Sequence, residues 1–264
     1  MTISSEAVGA RFAALAALAA QGRKAFVPYV TAGHPDRERS VALLQGLEAA
    51  GADVLEVGVP FSDPLADGAV IQASSQRALT LGVTYDAVLD IIARARLSVP
   101  VVLFSYLNPI LAAGPDALER AAQAGAHGIL ITDLPVGADP QLERWFGAGP
   151  LAFIRLVAPT TPTDRMREIT THGSGFVYLI SRLGVTGVRS DLPPELPETV
   201  ARLRAVTSLP IYVGFGVSGP EQAAAVARLA DGVVVGSAIV RAADESVDRA
   251  VGLARSLRAA IDAI

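Results

Sequence analysis

Eight short apolar runs, spread along 264 residues, constrain this chain more than any other feature. They are Ala25–Val30, Val54–Val59, Val101–Ser105, Gly128–Thr132, Leu151–Val157, Gly175–Ile180, Ile211–Gly214 and Gly232–Gly236. Each is dominated by Val, Ile, Leu and Phe. A run that is apolar on both faces fits a parallel strand covered on both sides, not a strand with one wet face. Helical patterns fill the gaps. Asp36–Ala50 ends at Gly51, Pro115–Ala124 at Gly125, and Thr163–His172 at Gly173, while Pro220–Leu229 follows Ser218 and Gly219. Polar or proline starts and glycine stops are the expected asymmetry of helix ends, and "TPTD" at Thr161–Asp164 reads as a cap.

Strand followed by helix, eight times over, predicts a (β/α)8 barrel as a single domain over residues 1–264. Two additions are expected. One is an N-terminal helix around Ala13–Ala20. The other is an extra helix in the second unit, where Ala69–Leu81 and Tyr85–Arg96 both read as helical. A doubly wound open sheet is the alternative, and "GFGVSG" at Gly214–Gly219 matches a dinucleotide fingerprint. The match is weak, because the following strand ends in "VVVGS" with no acid to hold a ribose.

Composition removes several function classes. The net charge is −4 and no dense basic patch appears, so nucleic acid is not an expected partner. The absence of cysteine excludes disulfides, thiolate metal sites and a cysteine nucleophile, and it fits a cytoplasmic protein. His34, His127 and His172 are far apart, so no metal site is expected. No run approaches the roughly 18 apolar residues of a membrane span.

Barrel chemistry sits on the loops that follow the strands. In "LEVGVPFSDPLADG", Leu55–Gly68, a glutamate lies inside an apolar strand and two aspartates follow on the loop. A charged, unpaired Glu56 in that setting is costly. Either another strand supplies a cation, for which Arg155 and Arg182 are the available residues, or Glu56 is an acid–base group with a raised pKa. Asp67 and Asp63 have milder readings as loop acids or as caps for the segment from Ala69. Gly216, after strand seven, lets backbone N–H groups approach a ligand closely. Gly236 and Ser237, after strand eight, open a helix whose N-terminus favours an anion. These are the usual phosphate positions of such barrels. The long "SRLGVTGVRSDLPPELP" after strand six suits a lid.

With these residues assembled, the chain closely resembles the tryptophan synthase α chain family, over essentially its whole length. "LEVGVPFSDPLADG" is the most specific motif; "AFVPYVTAGHP", "SYLNP", "TDLP", "SRLGVTG", "GFGVS" and "GSAIV" match in order and spacing. The resemblance implies a (β/α)8 barrel that cleaves indole-3-glycerol phosphate to indole and glyceraldehyde 3-phosphate. It puts the catalytic carboxylates at Glu56 and Asp67, with Glu56 shuttling protons and an ionised Asp67 on a polar loop holding the indole N–H. It implies phosphate-binding backbone at Gly187, Gly216, Gly236 and Ser237, indole-pocket walls at Tyr178 and Phe215, Tyr106 near the carboxylates, and Thr186 as the lid residue that meets Asp67. Pro60, Asp63, Asn108 and Pro135 resemble positions facing a β chain. That partner would carry pyridoxal phosphate in an α2β2 heterotetramer, this chain having no cofactor of its own. Thr132, Leu183 and Tyr29 depart modestly from the family pattern and remove no catalytic group.

Rival phosphate-binding barrels need metal-binding histidines or aspartates after strands one and five, and strand five ends in "RLVAPTTP" without an acid. A barrel using a lysine as general acid fails because the strands carry none. A non-catalytic subunit is disfavoured by the presence of both carboxylates. A stand-alone indole-releasing lyase remains the alternative.

Overall fold

In a computed structural model the described residues are 12, 13, 17, 21–181, 193–214 and 216–264. Eight parallel strands close into a barrel in sequence order: β1 (Ala25–Thr31), β2 (Leu55–Gly58), β3 (Val101–Ser105), β4 (Gly128–Ile131), β5 (Ala152–Val157), β6 (Val177–Ile180), β7 (Ile211–Gly214) and β8 (Gly232–Val235). The barrel closes where Val27 of β1 pairs with Val234 of β8. The expected architecture is therefore the observed one. Several strands are shorter by one or two residues than their apolar runs, because hydrophobicity continues past the last ladder bond.

The helices are α1 (Arg37–Ala49), α2 (Ala69–Thr80), α3 (Tyr85–Ala95), α4 (Leu107–Ala113), α5 (Ala117–Ala124), α6 (Pro140–Ala148), α7 (Thr163–Thr171), α8 (Leu196–Arg204), α9 (Pro220–Ala227), α10 (Ser237–Glu245) and α11 (Val247–Asp262). The extra helix of the second unit is present as the pair α2 and α3. Phe12 and Ala13 are helical, as expected of the N-terminal helix, which apart from Ala17 otherwise lies outside the described residues. The "TPTD" cap is not formed as read: Pro162 occupies the cap of α7 without a side-chain bond. Thr161 instead accepts from the Ala158 N–H at 3.1 Å, so its hydroxyl serves the preceding loop.

Side-chain alternation sorts every strand into two faces. One face packs outward against the helices in a large core that includes Phe26, Leu44, Leu103 and Val233. The other fills the barrel with Val27, Tyr29, Val102, Phe104, Leu130, Ile154, Phe176, Tyr178, Tyr212 and Val234. Phe12 joins the inner set and lies 6.2 Å, centroid to centroid, from Phe176. Tyr29, Glu56 and Val102 are consecutive register partners, which puts Glu56 in the inner layer. Two glycines make room for the inner tyrosines. A β-carbon on Gly58 would lie 2.0 Å from the Tyr29 hydroxyl, and one on Gly214 would lie 2.1 Å from that of Tyr178.

Candidate active site

The inner face opens at the C-terminal end of the strands into a cavity of about 780 Å³, counted to its open mouth. Its floor and wall are Tyr29, Phe104 and Tyr178. Tyr29 meets Phe104 edge-on at 5.4 Å, and Phe104 meets Tyr178 edge-on at 6.4 Å. Ile71 and Val234 complete an apolar slot sized for a flat aromatic group. Glu56 and Asp67 face this slot from one side. Gly216, Val217, Ser218, Gly236, Ser237 and Ala238 face it from the other.

Glu56 is fully buried, and neither carboxylate oxygen has a hydrogen-bond partner among the described residues. Desolvation alone pushes its pKa from 4.5 up to about 8. The strand gives it no cation. Arg155, the candidate partner from the sequence, lies one position out of phase with the inward-facing Ile154 and Leu156 and points outward. Its guanidinium pairs with Glu143 at 3.0 Å and also donates to the Leu134 and His172 carbonyls. Arg182 lies outside the described residues.

Asp67 departs from its expected setting. The loop does not leave it solvated: the residue is 8% exposed. A tight turn, with the Asp67 N–H bonded to the Pro64 carbonyl at 3.0 Å, folds it back over the barrel. Burial raises its pKa to about 6, against a smaller lowering by the Tyr106 hydroxyl, which donates to Oδ2 at 3.2 Å. It caps no helix; Gly68 occupies the cap of α2 without a side-chain bond. Asp63 accepts from the Ser62 hydroxyl at 2.5 Å and takes no part in the cavity.

Tyr106 holds Asp67 from behind. Its oxygen accepts from the Ala66 N–H at 2.8 Å while donating to Asp67, and the ring is not part of the cavity lining. Tyr178 lines the cavity as expected. Gly216, with φ +93, Gly236 and Ser237 converge on the far side, where α10 begins at Ser237. Thr186, Gly187, Phe215 and Leu183 lie outside the described residues, as does most of the expected lid. Sequence reading missed Phe104, Ile71, Val234 and Arg241 as lining residues. For Phe104 the signal was available: it is two positions after Val102, the register partner of Glu56.

The arrangement suits an acid–base barrel enzyme: two buried carboxylates with separated proton affinities, an aromatic slot, and an anion-ready helix end. Comparison with known proteins places it further. The family model for the tryptophan synthase alpha chain matches residues 15–262, and the chain belongs to that family, a lyase of tryptophan synthesis. It is 50% identical to the tryptophan synthase alpha chain of Gloeobacter violaceus over 230 residues, covering 86% of this chain and 83% of the relative. It is 45% identical to that of Synechococcus elongatus, covering 94% and 95%. Among solved structures, Mycobacterium tuberculosis tryptophan synthase superposes with a TM-score of 0.88 at 37% identity, covering 95% and 98%. The subunit alpha of Legionella pneumophila gives 0.86 at 38% identity, covering 96% and 99%.

Proposed function

We propose that this chain cleaves indole-3-glycerol phosphate to indole and glyceraldehyde 3-phosphate as the α subunit of an α2β2 tryptophan synthase. The observation that carries the reading is the pair of carboxylates in one apolar slot, Glu56 pushed to about 8 and Asp67 to about 6. Near pH 7 the first is mainly protonated and the second mainly ionised, which is the division of labour that a retro-aldol on indole requires.

Indole leaves poorly as a carbanion. Glu56 donates its proton to indole C3, giving the indolenine, while Asp67 accepts the hydrogen bond of the ring N–H and stabilises the positive charge developing there. The Glu56 carboxylate then takes the proton of the adjacent glycerol hydroxyl. The C–C bond breaks, its electron pair returns to the ring as indole, and the aldehyde C=O forms. Glu56 ends protonated, ready for another cycle. Tyr29, Phe104 and Tyr178 sandwich the ring and exclude water. Tyr106 keeps one oxygen of Asp67 oriented. Backbone N–H groups at Gly216, Gly236 and Ser237 take the phosphate, with Gly187 and the Thr186 lid contact proposed from the family pattern.

The β partner is supported by the rim. Leu65, on the same loop as Asp67, is 91% exposed, and Leu111 of α4 is 44% exposed. A groove beyond the ends of β2 and β3 is lined by Pro60, Phe61, Asn108 and Pro109. Apolar groups on a loop that also carries a catalytic acid suit a docking surface that couples partner to chemistry. Pyridoxal phosphate belongs to that partner. A cytoplasmic setting fits the cysteine-free sequence, and among the described residues no helix is long and apolar enough to cross a membrane.

The test is indole release from indole-3-glycerol phosphate by the purified chain, with and without a tryptophan synthase β chain. Slow release alone and a large gain with β are expected. Fast release alone would favour the stand-alone lyase, and no release in either case would overturn the assignment.

A further inference from the structure

We propose that Arg241 is a specificity-determining cation for the substrate phosphate, a deepening that rests on the reading above. Arg241 is in α10, four residues after Ser237, so the two share a helix face. Side chains on a helix lean toward its N-terminus, which carries the guanidinium back over the N–H groups at Gly236 and Ser237. It lines the same cavity as those residues and Gly216. Among the described lining residues it is the one cationic side chain.

Its freedom is built in by its neighbours. Asp244 and Glu245 stand three and four positions beyond Arg241, within helical pairing reach. Asp244 instead lies 3.7 Å from the Arg77 guanidinium and 3.1 Å from His34 Nε2, and Glu245 pairs with Arg249 at 3.5 Å. Arg241 forms no ion pair or hydrogen bond with the described residues. A free guanidinium at the mouth of a cavity whose opposite side holds two carboxylates serves two ends. It attracts the dianionic tail, and it fixes orientation, phosphate toward α10 and indole toward Glu56. Backbone N–H groups alone accept any small anion or carbonyl. The added charge selects for a phosphate monoester over its dephosphorylated triol.

The experiment compares wild type, Arg241→Ala and Arg241→Lys in the αβ complex, measuring indole release against substrate concentration at about 0.01 M and about 0.15 M ionic strength. Arg241→Ala is expected to raise KM about fivefold at low salt with kcat nearly unchanged, as loss of an exposed charge contact should. The difference should shrink at high salt, and Lys should restore most of it. A calorimetric titration with inorganic phosphate gives a readout independent of turnover. Weaker phosphate binding in Arg241→Ala supports the role even if the wild type cleaves nothing, an outcome that would sink only the lyase reading. Unchanged KM, salt dependence and phosphate affinity overturn the role of Arg241 and leave the lyase reading intact.

Discussion

Asp53 and Glu56 are three residues apart, yet the two ends of the barrel treat their carboxylates in opposite ways. Asp53 precedes β2 at the N-terminal end and is 8% exposed. Oδ1 accepts from Arg23 at 2.8 Å, and Oδ2 accepts from Arg258 at 2.8 Å and from the Phe26 N–H at 2.9 Å. Arg258 continues the chain of charges to Asp262 at 2.5 Å and to the Lys24 carbonyl at 3.1 Å, tying α11 to the start of β1. Glu56, about 10 Å further along the strand, is buried more deeply and has no hydrogen-bond partner among the described residues. One end uses buried charge to fasten the barrel. The other leaves it unpaired among the described residues, which costs stability and, in the proposed reaction, supplies a proton donor near neutral pH.

The largest expected effect breaks the functional end. Glu56→Gln keeps the shape and removes the proton, so indole release should fall by about 10³-fold or more while phosphate binding persists. The same variant should be more stable than the wild type. Glu56 has a folded pKa near 8 against 4.5 unfolded, so between those values the folded state holds a proton that the unfolded chain releases. Wild-type stability therefore falls as pH rises through that window, by on the order of 3 kcal/mol at pH 7. Urea unfolding at pH 5 and pH 8 should show that slope in the wild type and a flatter one in the variant. A Glu56→Gln protein that is both active and no more stable would remove the contrast between the two ends.

Next comes the structural end. Asp53→Ala leaves Arg258 buried without its main partner and should cost about 3–5 kcal/mol. Turnover per folded molecule should stay near wild type, because the change is at the far end of the barrel from the cavity. Together the two variants should cross: one inactive and stabilised, the other active and destabilised. A thermal melt and a rate measurement on each suffice to check this.

How much of this was legible follows from how local each cause is. The eight strands could be read because burial on both faces strips polar residues from a run, and that is visible in the run itself. Glu56 was legible for the same reason, as a carboxylate that its own strand cannot pair. Arg155 was not: its position one step out of phase sends it outward, and its partner Glu143 belongs to α6, a helix that the pattern did not single out. The seven residues of α4, "LNPILAA", carry too short an amphipathic repeat to stand out, and Pro109 within them reads as a breaker although it sits in the first turn, where proline is tolerated. The setting of Asp67 differs from its loop composition because a turn folds it over the barrel and the Tyr106 hydroxyl, 39 residues away on the next strand's loop, bonds it there. Loop composition cannot report a contact at that range.

Asp67 stands between the two extremes, buried like Glu56 but with one hydrogen bond, and its pH behaviour tests whether partnership is graded. In the proposed mechanism cleavage uses Asp67 ionised and Glu56 protonated, so kcat/KM should be bell-shaped, rising through about 6 and falling through about 8. Tyr106→Phe removes the hydroxyl that favours the ionised form of Asp67, so its pKa should move up and the acid limb should follow, by a fraction of a pH unit. The alkaline limb belongs to Glu56, which Tyr106 does not bond, and should stay in place. Movement of the acid limb alone would put the hydrogen bond of Asp67 on the same scale that separates Glu56 from Asp53. If both limbs moved together, the two carboxylates would titrate as one unit, and the contrast would have to be drawn between the pair and Asp53.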